Sequence, residues 1–273
     1  MQPAVQTQTF HTTDGCAIAY ALRGTLNETA PRLVLIHSLA LDQSIWDNVV
    51  GRLADEAQIL TYDCRGHGRS GRPHMPYNVD LFARDLAGLL DHVGWQKTII
   101  AGCSMGGCVA QAFGGLYPAH ASALALIDTI AWYGEGAPKT WRERAAKASA
   151  EGLTGMVDFQ ISRWFGDRFR KEHPTSVKAL TDVFLANDLE CYAATCQLLG
   201  DADLRPYLPS LRMPVAIVVG EDDYATPVAA AHYLNENIPL STLTIIPGGR
   251  HLTPVECPDE IAAQLLKLFE RIS

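Results

Sequence analysis

Short apolar runs recur along the chain, and between them lie longer stretches in which apolar residues return every three or four positions. The runs Leu33–His37, Gln58–Tyr62, Thr98–Cys103, Ala123–Ile127, Pro214–Gly220 and Thr242–Pro247 are nearly continuous in apolar character, which predicts strands buried on both faces. Ahead of them, Cys16–Leu22 alternates more loosely after the turn signal Asp14-Gly15 and predicts an antiparallel hairpin strand at one edge. Val79, Phe82, Leu86, Leu89, Leu90 and Val93 share one helical face between an Asn78 N-cap and Gly94. Ile261, Leu265, Leu268, Phe269 and Ile272 do the same behind Pro258. Strands alternating with amphipathic helices predict an α/β fold, a mostly parallel sheet with helices on both faces.

That alternation stops between residues 131 and 208. The stretch is rich in aromatic residues, carries helical-period sets such as Val177, Leu180, Val183 and Phe184, and has no run that reads as a strand. It predicts an all-helical insertion, with a core built from residues 1–130 and 209–273. Gly134–Pro138 and Pro206–Pro209 are natural joints where the insertion leaves and rejoins that core.

With 273 residues, 48% of them hydrophobic and 19% charged, the chain can bury a large core. A net charge of −8 with scattered Lys and Arg argues against nucleic acid as a partner. No apolar segment approaches the roughly 20 residues a bilayer span needs, and the N-terminus lacks a basic cluster followed by an apolar run. The expectation is a soluble, cytoplasmic protein acting on a small molecule. Its seven cysteines, odd in number and without CxxC spacing, read as free thiols of a reducing compartment.

One segment concentrates reactive groups: Gly102-Cys103-Ser104-Met105-Gly106-Gly107-Cys108 sets a hydroxyl between two thiols. Ser104 falls between a buried strand and a helix beginning near Met105, and a turn this tight demands small side chains two positions either side, which Gly102 and Gly106 supply. The turn would lift the hydroxyl above the carboxyl end of the sheet, at a helix N-terminus that favours developing negative charge. A serine nucleophile needs a base, and the base needs an orienting acid. His251, on the Pro247–Arg250 loop beyond the last strand, is the candidate base, and the acid falls among Glu221, Asp222 and Asp223 after strand Pro214–Gly220. Serine, acid and histidine follow one another in the order of one convergent version of the triad. The oxyanion would be held by the N–H groups of Met105 and of Leu39, in the loop after strand Leu33–His37. This context favours oxygen over sulfur as the reactive atom and leaves Cys108, one helical turn on, as core.

With these residues in view, the chain resembles the α/β-hydrolase family over nearly its whole length, through HSLALD, DCRGHGRS, GCSMGG, GEDDYATP and GGRHLTP. The resemblance implies an eight-stranded sheet with a helical cap, a Ser104–Asp223–His251 triad and an acyl-enzyme route that requires no cofactor and no metal. It selects Asp223 among the three acids and assigns Arg65 and His67 to a packed loop. Within the family the chain is similar to the 3-oxoadipate enol-lactonase subgroup, in HSLALDQSIWD, RGHGRSGRP, Arg163-Trp164-Phe165 and DVFLANDLECYAATCQLLGDADLRP. That implies lactone or ester cleavage. A broad carboxylesterase, a carbon–carbon hydrolase of ring-cleavage products and a non-catalytic small-molecule binder are the other readings. Trp132, Trp164, Arg163 and Cys103 are candidate pocket residues. Cys103 departs from the Leu usual in the subgroup, and Arg163 and Arg142 are each either a cation for a carboxylate tail or part of a solvated helix face.

Overall fold

The computed structural model of the protein describes residues 6–272. Strands β1 (Gln8–His11), β2 (Ala17–Gly24), β3 (Arg32–Ile36), β4 (Gln58–Tyr62), β5 (Thr98–Cys103), β6 (Ala121–Ile127), β7 (Val215–Gly220) and β8 (Ser241–Ile246) form one sheet, ordered β1-β2-β4-β3-β5-β6-β7-β8. The β1–β2 and β2–β4 pairs are antiparallel and the other five are parallel. The chain runs from β3 outward to β4 and then returns to β5 on the other side of β3. The loops after β3 and β5 therefore diverge at the carboxyl edge, which is where open α/β sheets offer a crevice.

Burial follows the hydrophobic pattern where strands are covered on both faces: every residue of β5 and β7 is buried. Two edges behave differently from expectation. Strand β8 has one neighbour only and, apart from buried Ile246, its residues are half-buried or exposed, so its apolar run does not mean two covered faces. Strand β1 was not expected, because QTFH offers a single large apolar side chain. That residue, Phe10, packs against His92 at 5.2 Å between ring centroids.

Helix α1 (Asp47–Leu53) links β3 to β4, and α2 (Val79–His92) links β4 to β5. The Asn78 side chain caps α2 by accepting from the Leu81 N–H at 2.8 Å. Between Ile127 and Val215 come α3's successors in the chain: after α3 (Met105–Leu116) and β6, the chain forms α4 (Ala137–Glu151), α5 (Val157–Trp164), α6 (Asp167–Glu172), α7 (Pro174–Leu185) and α8 (Leu189–Asp201). Helices α4 and α8 pack along each other. Where the segment leaves and rejoins the sheet, Trp132 and Asp203 form an isolated antiparallel bridge, and the Leu204 N–H donates to the Ala131 carbonyl at 2.9 Å. The helices meet the loops of the carboxyl edge. The Asn187 amide donates to the Ala40 carbonyl at 2.8 Å, and the Leu252 N–H donates to the Trp164 carbonyl at 3.1 Å. Helices α9 (Val228–Asn237), α10 (Thr253–Glu256) and α11 (Pro258–Glu270) complete the chain. Among the described residues, no helix is long and apolar enough to cross a membrane.

Helix α3 approaches the carboxyl ends of β3 and β5 closely. A Cβ on Gly106 would lie 2.3 Å from the Ile36 carbonyl oxygen and 2.8 Å from that of His37, and one on Gly102 would lie 2.1 Å from the Gly106 oxygen. Backbone atoms cannot yield as flexible side-chain ends can. Gly106→Ala should therefore cost about 3 kcal/mol, the upper part of the overpacking range, read as a lowered midpoint in denaturant unfolding. An unchanged midpoint would contradict this packing.

Candidate active site

Ser104 joins β5 to α3 with φ +56° and ψ −114°, a conformation that costs an L residue of order 1–3 kcal/mol. Its backbone is held from the β6 side: its N–H donates to the Ile127 carbonyl at 2.9 Å, and its carbonyl accepts from the Thr129 hydroxyl at 2.7 Å. The strained turn presents Oγ to His251, whose Nε2 lies 2.9 Å away. His251 Nδ1 lies 2.8 Å from Asp223 Oδ2. The remaining lone pairs of Asp223 accept from the Ala225 N–H at 2.7 Å, the Thr226 N–H at 3.0 Å and the Thr226 hydroxyl at 2.7 Å. Burial alone would raise the Asp223 pKa, but His251 and these donors outweigh it and hold the carboxyl below the ordinary range. Neither neighbouring acid takes this position: Asp222 is exposed, and exposed Glu221 accepts from the Gly248 N–H at 3.0 Å.

The loop after β3 is set by a second histidine. Buried His37 accepts from the Cys64 N–H at Nε2 (2.8 Å), so its proton sits on Nδ1, which donates to the Ser38 carbonyl at 2.8 Å. Burial, the main cause, lowers the His37 pKa and keeps the ring neutral. In a trans peptide the N–H points opposite the carbonyl. Holding Ser38 O toward His37 therefore turns the Leu39 N–H the other way. Among the described residues, neither the Leu39 N–H nor the Met105 N–H has a hydrogen-bond acceptor. Arg65 and His67 lie elsewhere: Arg65 is buried on Asp85 through two contacts of 2.6 Å, and the His67 ring packs on His37 at 5.1 Å.

A chamber of about 30 Å³ adjoins Ser104, His251, Ser38 and Leu39, and its opposite wall comes from the helical segment. Arg163 and Trp164 stand in that wall, as the sequence suggested. Two candidates do not. Trp132 turns away, bridged to Asp203 with the Arg205 guanidinium 3.6 Å above its ring. Its neighbour Tyr133 lines the chamber instead, because successive residues of an extended segment face opposite ways. Cys103 is also no pocket residue. Its side chain points behind the site, with Sγ 4.0 Å from both Asp128 Oδ2 and the His251 carbonyl. Burial, the main cause, pushes this thiol well up, leaving it protonated and unreactive. Arg142 is exposed, and Arg144 enters the wall in its place. Trp141, Arg144, Ala145 and Ala148 form the inward face of α4 at a spacing that could have been read from the sequence.

Asp128 is a further site residue that sequence reasoning missed. Directly after β6, with φ +47°, it accepts from the Gly220 N–H at 3.1 Å, the Thr253 N–H at 2.9 Å and the Thr253 hydroxyl at 2.6 Å. It thus ties the ends of β6 and β7 to the residues that follow His251. The available signal was a lone acid at the carboxyl end of a buried strand.

Fold and site define a class, and the comparisons agree. Residues 33–264 match the model of the alpha/beta hydrolase family, and the chain belongs to that family. It is similar to 3-oxoadipate enol-lactonase 2 of Acinetobacter baylyi, with 32% identity over 247 residues covering 90% of this chain and 91% of the relative. Among solved structures it is similar to the enol-lactonase from Burkholderia xenovorans (TM-score 0.92, 29% identity, 96% of this chain and 100% of the other). It is also similar to a thermophilic esterase from Thermogutta terrifontis (TM-score 0.90, 27% identity, 98% and 99%). The chain is therefore a hydrolase of this family with lactonase and esterase relatives.

Burial first, and the nearby Asp223 charge second, raise the Asp128 pKa well above its ordinary 3.8. The folded protein then keeps a proton that the unfolded chain loses, so the contribution of Asp128 to stability is present below about pH 4 and declines as pH rises toward its folded-state value. Asp128→Asn removes that decline. Its melting temperature relative to the parent should become more favourable between pH 4 and pH 8, and a difference independent of pH would refute the assignment.

Proposed function

We propose that this protein is a serine hydrolase that opens an ester or lactone bond through an acyl-enzyme on Ser104, with an enol-lactone as its substrate class. The observation that carries this reading is the continuous relay from Ser104 Oγ through His251 to Asp223, at 2.9 and 2.8 Å, beside two N–H groups without acceptors. His251 takes the Ser104 proton as Oγ attacks the carbonyl. Asp223 fixes the imidazole tautomer and stabilises the imidazolium. The Leu39 and Met105 N–H groups receive the oxyanion, a contribution of about 3–4 kcal/mol per donor in comparable sites. Collapse of the tetrahedral intermediate breaks the C–O bond, and His251 returns its proton to the leaving oxygen. Water, activated by the same imidazole, then releases the acid. In a lactone the leaving oxygen stays tethered to the acyl chain throughout, so the second step releases a single ring-opened acid.

Residues 131–208 act in this reading as a cap over a core of residues 1–130 and 209–273. Support comes from the chamber wall, to which the helical segment contributes Tyr133, Trp141, Arg144, Gln160, Arg163 and Trp164. The enol-lactone preference is supported by the two similar enol-lactonases. Seven free cysteines, six of them buried, fit a protein of a reducing, cytoplasmic compartment.

Steady-state kinetics on a panel of enol-lactones, simple lactones and aryl esters tests both parts. Ser104→Ala should lower kcat by roughly 10⁶-fold and Asp223→Asn by about 10⁴-fold, with enol-lactones the best parent substrates. A Ser104→Ala protein that keeps a tenth of the parent rate would eliminate the mechanism. Aryl esters outrunning every lactone would eliminate the substrate class.

A further inference from the structure

Where the helical segment meets the loop between β4 and α2, four side chains with metal-ligating chemistry stand together. His74 comes from that loop, and Asp188, Glu190 and Cys191 come from the start of α8. His74 Nε2 lies 3.2 Å from Asp188 Oδ1, and its Nδ1 lies 2.9 Å from Glu190 Oε2. One ligand atom each from His74, Asp188 and Cys191 lies within 4.8 Å of the other two, and among the described residues no other three such groups meet in this way.

Each group is placed as a bound cation needs. Asp188 is pinned as the N-cap of α8, where it accepts from the Cys191 N–H at 2.9 Å. Cys191 is fully buried, and the Tyr77 hydroxyl, which donates to the Pro73 carbonyl at 2.8 Å, lies 3.3 Å from its Sγ, in position to donate to a thiolate. Half-exposed His74 has a carboxylate at both ring nitrogens. Such a ring needs either two protons, or one proton and a cation. With the Nδ1 proton donated to Glu190, the Nε2 lone pair faces Asp188, and a cation between them satisfies both. A carboxylate on the far nitrogen is also the usual support of a metal-ligating histidine. Tetrahedral ligands at the bond lengths of zinc stand about 3.5 Å apart, so closing the set takes a movement of about 1 Å, which the exposed His74 side chain can make. Nitrogen, sulfur and a single carboxylate suit zinc and its neighbours, whereas magnesium and calcium take oxygen.

We propose that His74 Nε2, Asp188 and Cys191 Sγ bind one divalent ion of the zinc class, with Glu190 orienting the imidazole and solvent at the fourth position. Binding exchanges the thiol proton of Cys191 for the metal and releases it to solvent, so affinity rises with pH. The ion joins the helical segment to the sheet beside a tie already present, the Asn187 amide on the Ala40 carbonyl. None of its ligands lines the chamber at Ser104, so the ion has a structural role and the proposal does not depend on the hydrolase reading.

Titration of the chelator-treated protein with Co2+ tests this, because thiolate ligation of cobalt gives an intense near-ultraviolet charge-transfer band. In the parent the band should saturate at one Co2+ per chain and be bleached by Zn2+. Cys191→Ser should abolish it. Glu190→Gln should weaken binding by about 10- to 100-fold, and His74→Ala by more. Saturating Zn2+ should raise the melting temperature of the parent and leave that of His74→Ala unmoved. Melts without metal show that the variants fold, and His74 and Glu190 are exposed enough for their replacement to be tolerated. No band in the parent, or a band that survives Cys191→Ser, overturns the site. A band with unchanged affinity in His74→Ala does so too, and leaves His74 as an imidazolium paired with two carboxylates.

Discussion

The turn that carries Ser104 exists because two backbones pass closer than any side chain would allow. Helix α3 leaves β5 against the carboxyl ends of β3 and β5, with Gly102 and Gly106 at the contact. Only that approach lets Ser104 adopt φ +56° and raise its hydroxyl over the sheet. The strain does not relax, because the Ser104 N–H and carbonyl are both bonded to the end of β6, at Ile127 and Thr129. The order of strands does the rest. Loops after β3, β5 and β7 open at the same edge, so the Leu39 N–H, Ser104 and Asp223 meet there from distant parts of the chain, and His251 arrives from the loop beyond β8.

Charge at this edge is arranged with economy. Asp223 and Asp128 are both buried close to His251, yet their surroundings drive them apart: the His251 and Thr226 contacts favour the ionised form of Asp223, while burial and that same ionised neighbour favour the neutral form of Asp128. On the far side of the chamber, Arg144 and Arg163 supply positive charge without a counter-ion of their own.

Much of this was legible in the sequence, for physical reasons that also explain the failures. Strands β5 and β7 announced themselves because covered strands need apolar residues at every position. Strand β1 did not, because an edge strand with one inward Phe10 resembles a polar loop. Ser104 and His251 were readable from their places at strand ends, whereas Asp223 was singled out among three consecutive acids only by the resemblance to the family. The wall of the chamber was less readable. Whether Trp132 or Tyr133, and Arg142 or Arg144, faces inward depends on the phase of a short segment, and that phase is set by the Trp132–Asp203 bridge and the packing of α4 on α8. Cys103 sits beside Ser104 in sequence but faces away from it, as successive residues of extended backbone do. Asp128 left only a faint mark, because a buried acid acts through partners that are remote along the chain.

The central claim is that Ser104 oxygen, and neither neighbouring thiol, becomes covalently attached during the reaction. Intact-mass and peptide mass spectrometry after treatment with a fluorophosphonate reads this directly. A single adduct on the peptide carrying Ser104, absent from Ser104→Ala, is the predicted result. Labelling that persists in Ser104→Ala, or that maps to Cys103 or Cys108, would contradict the account.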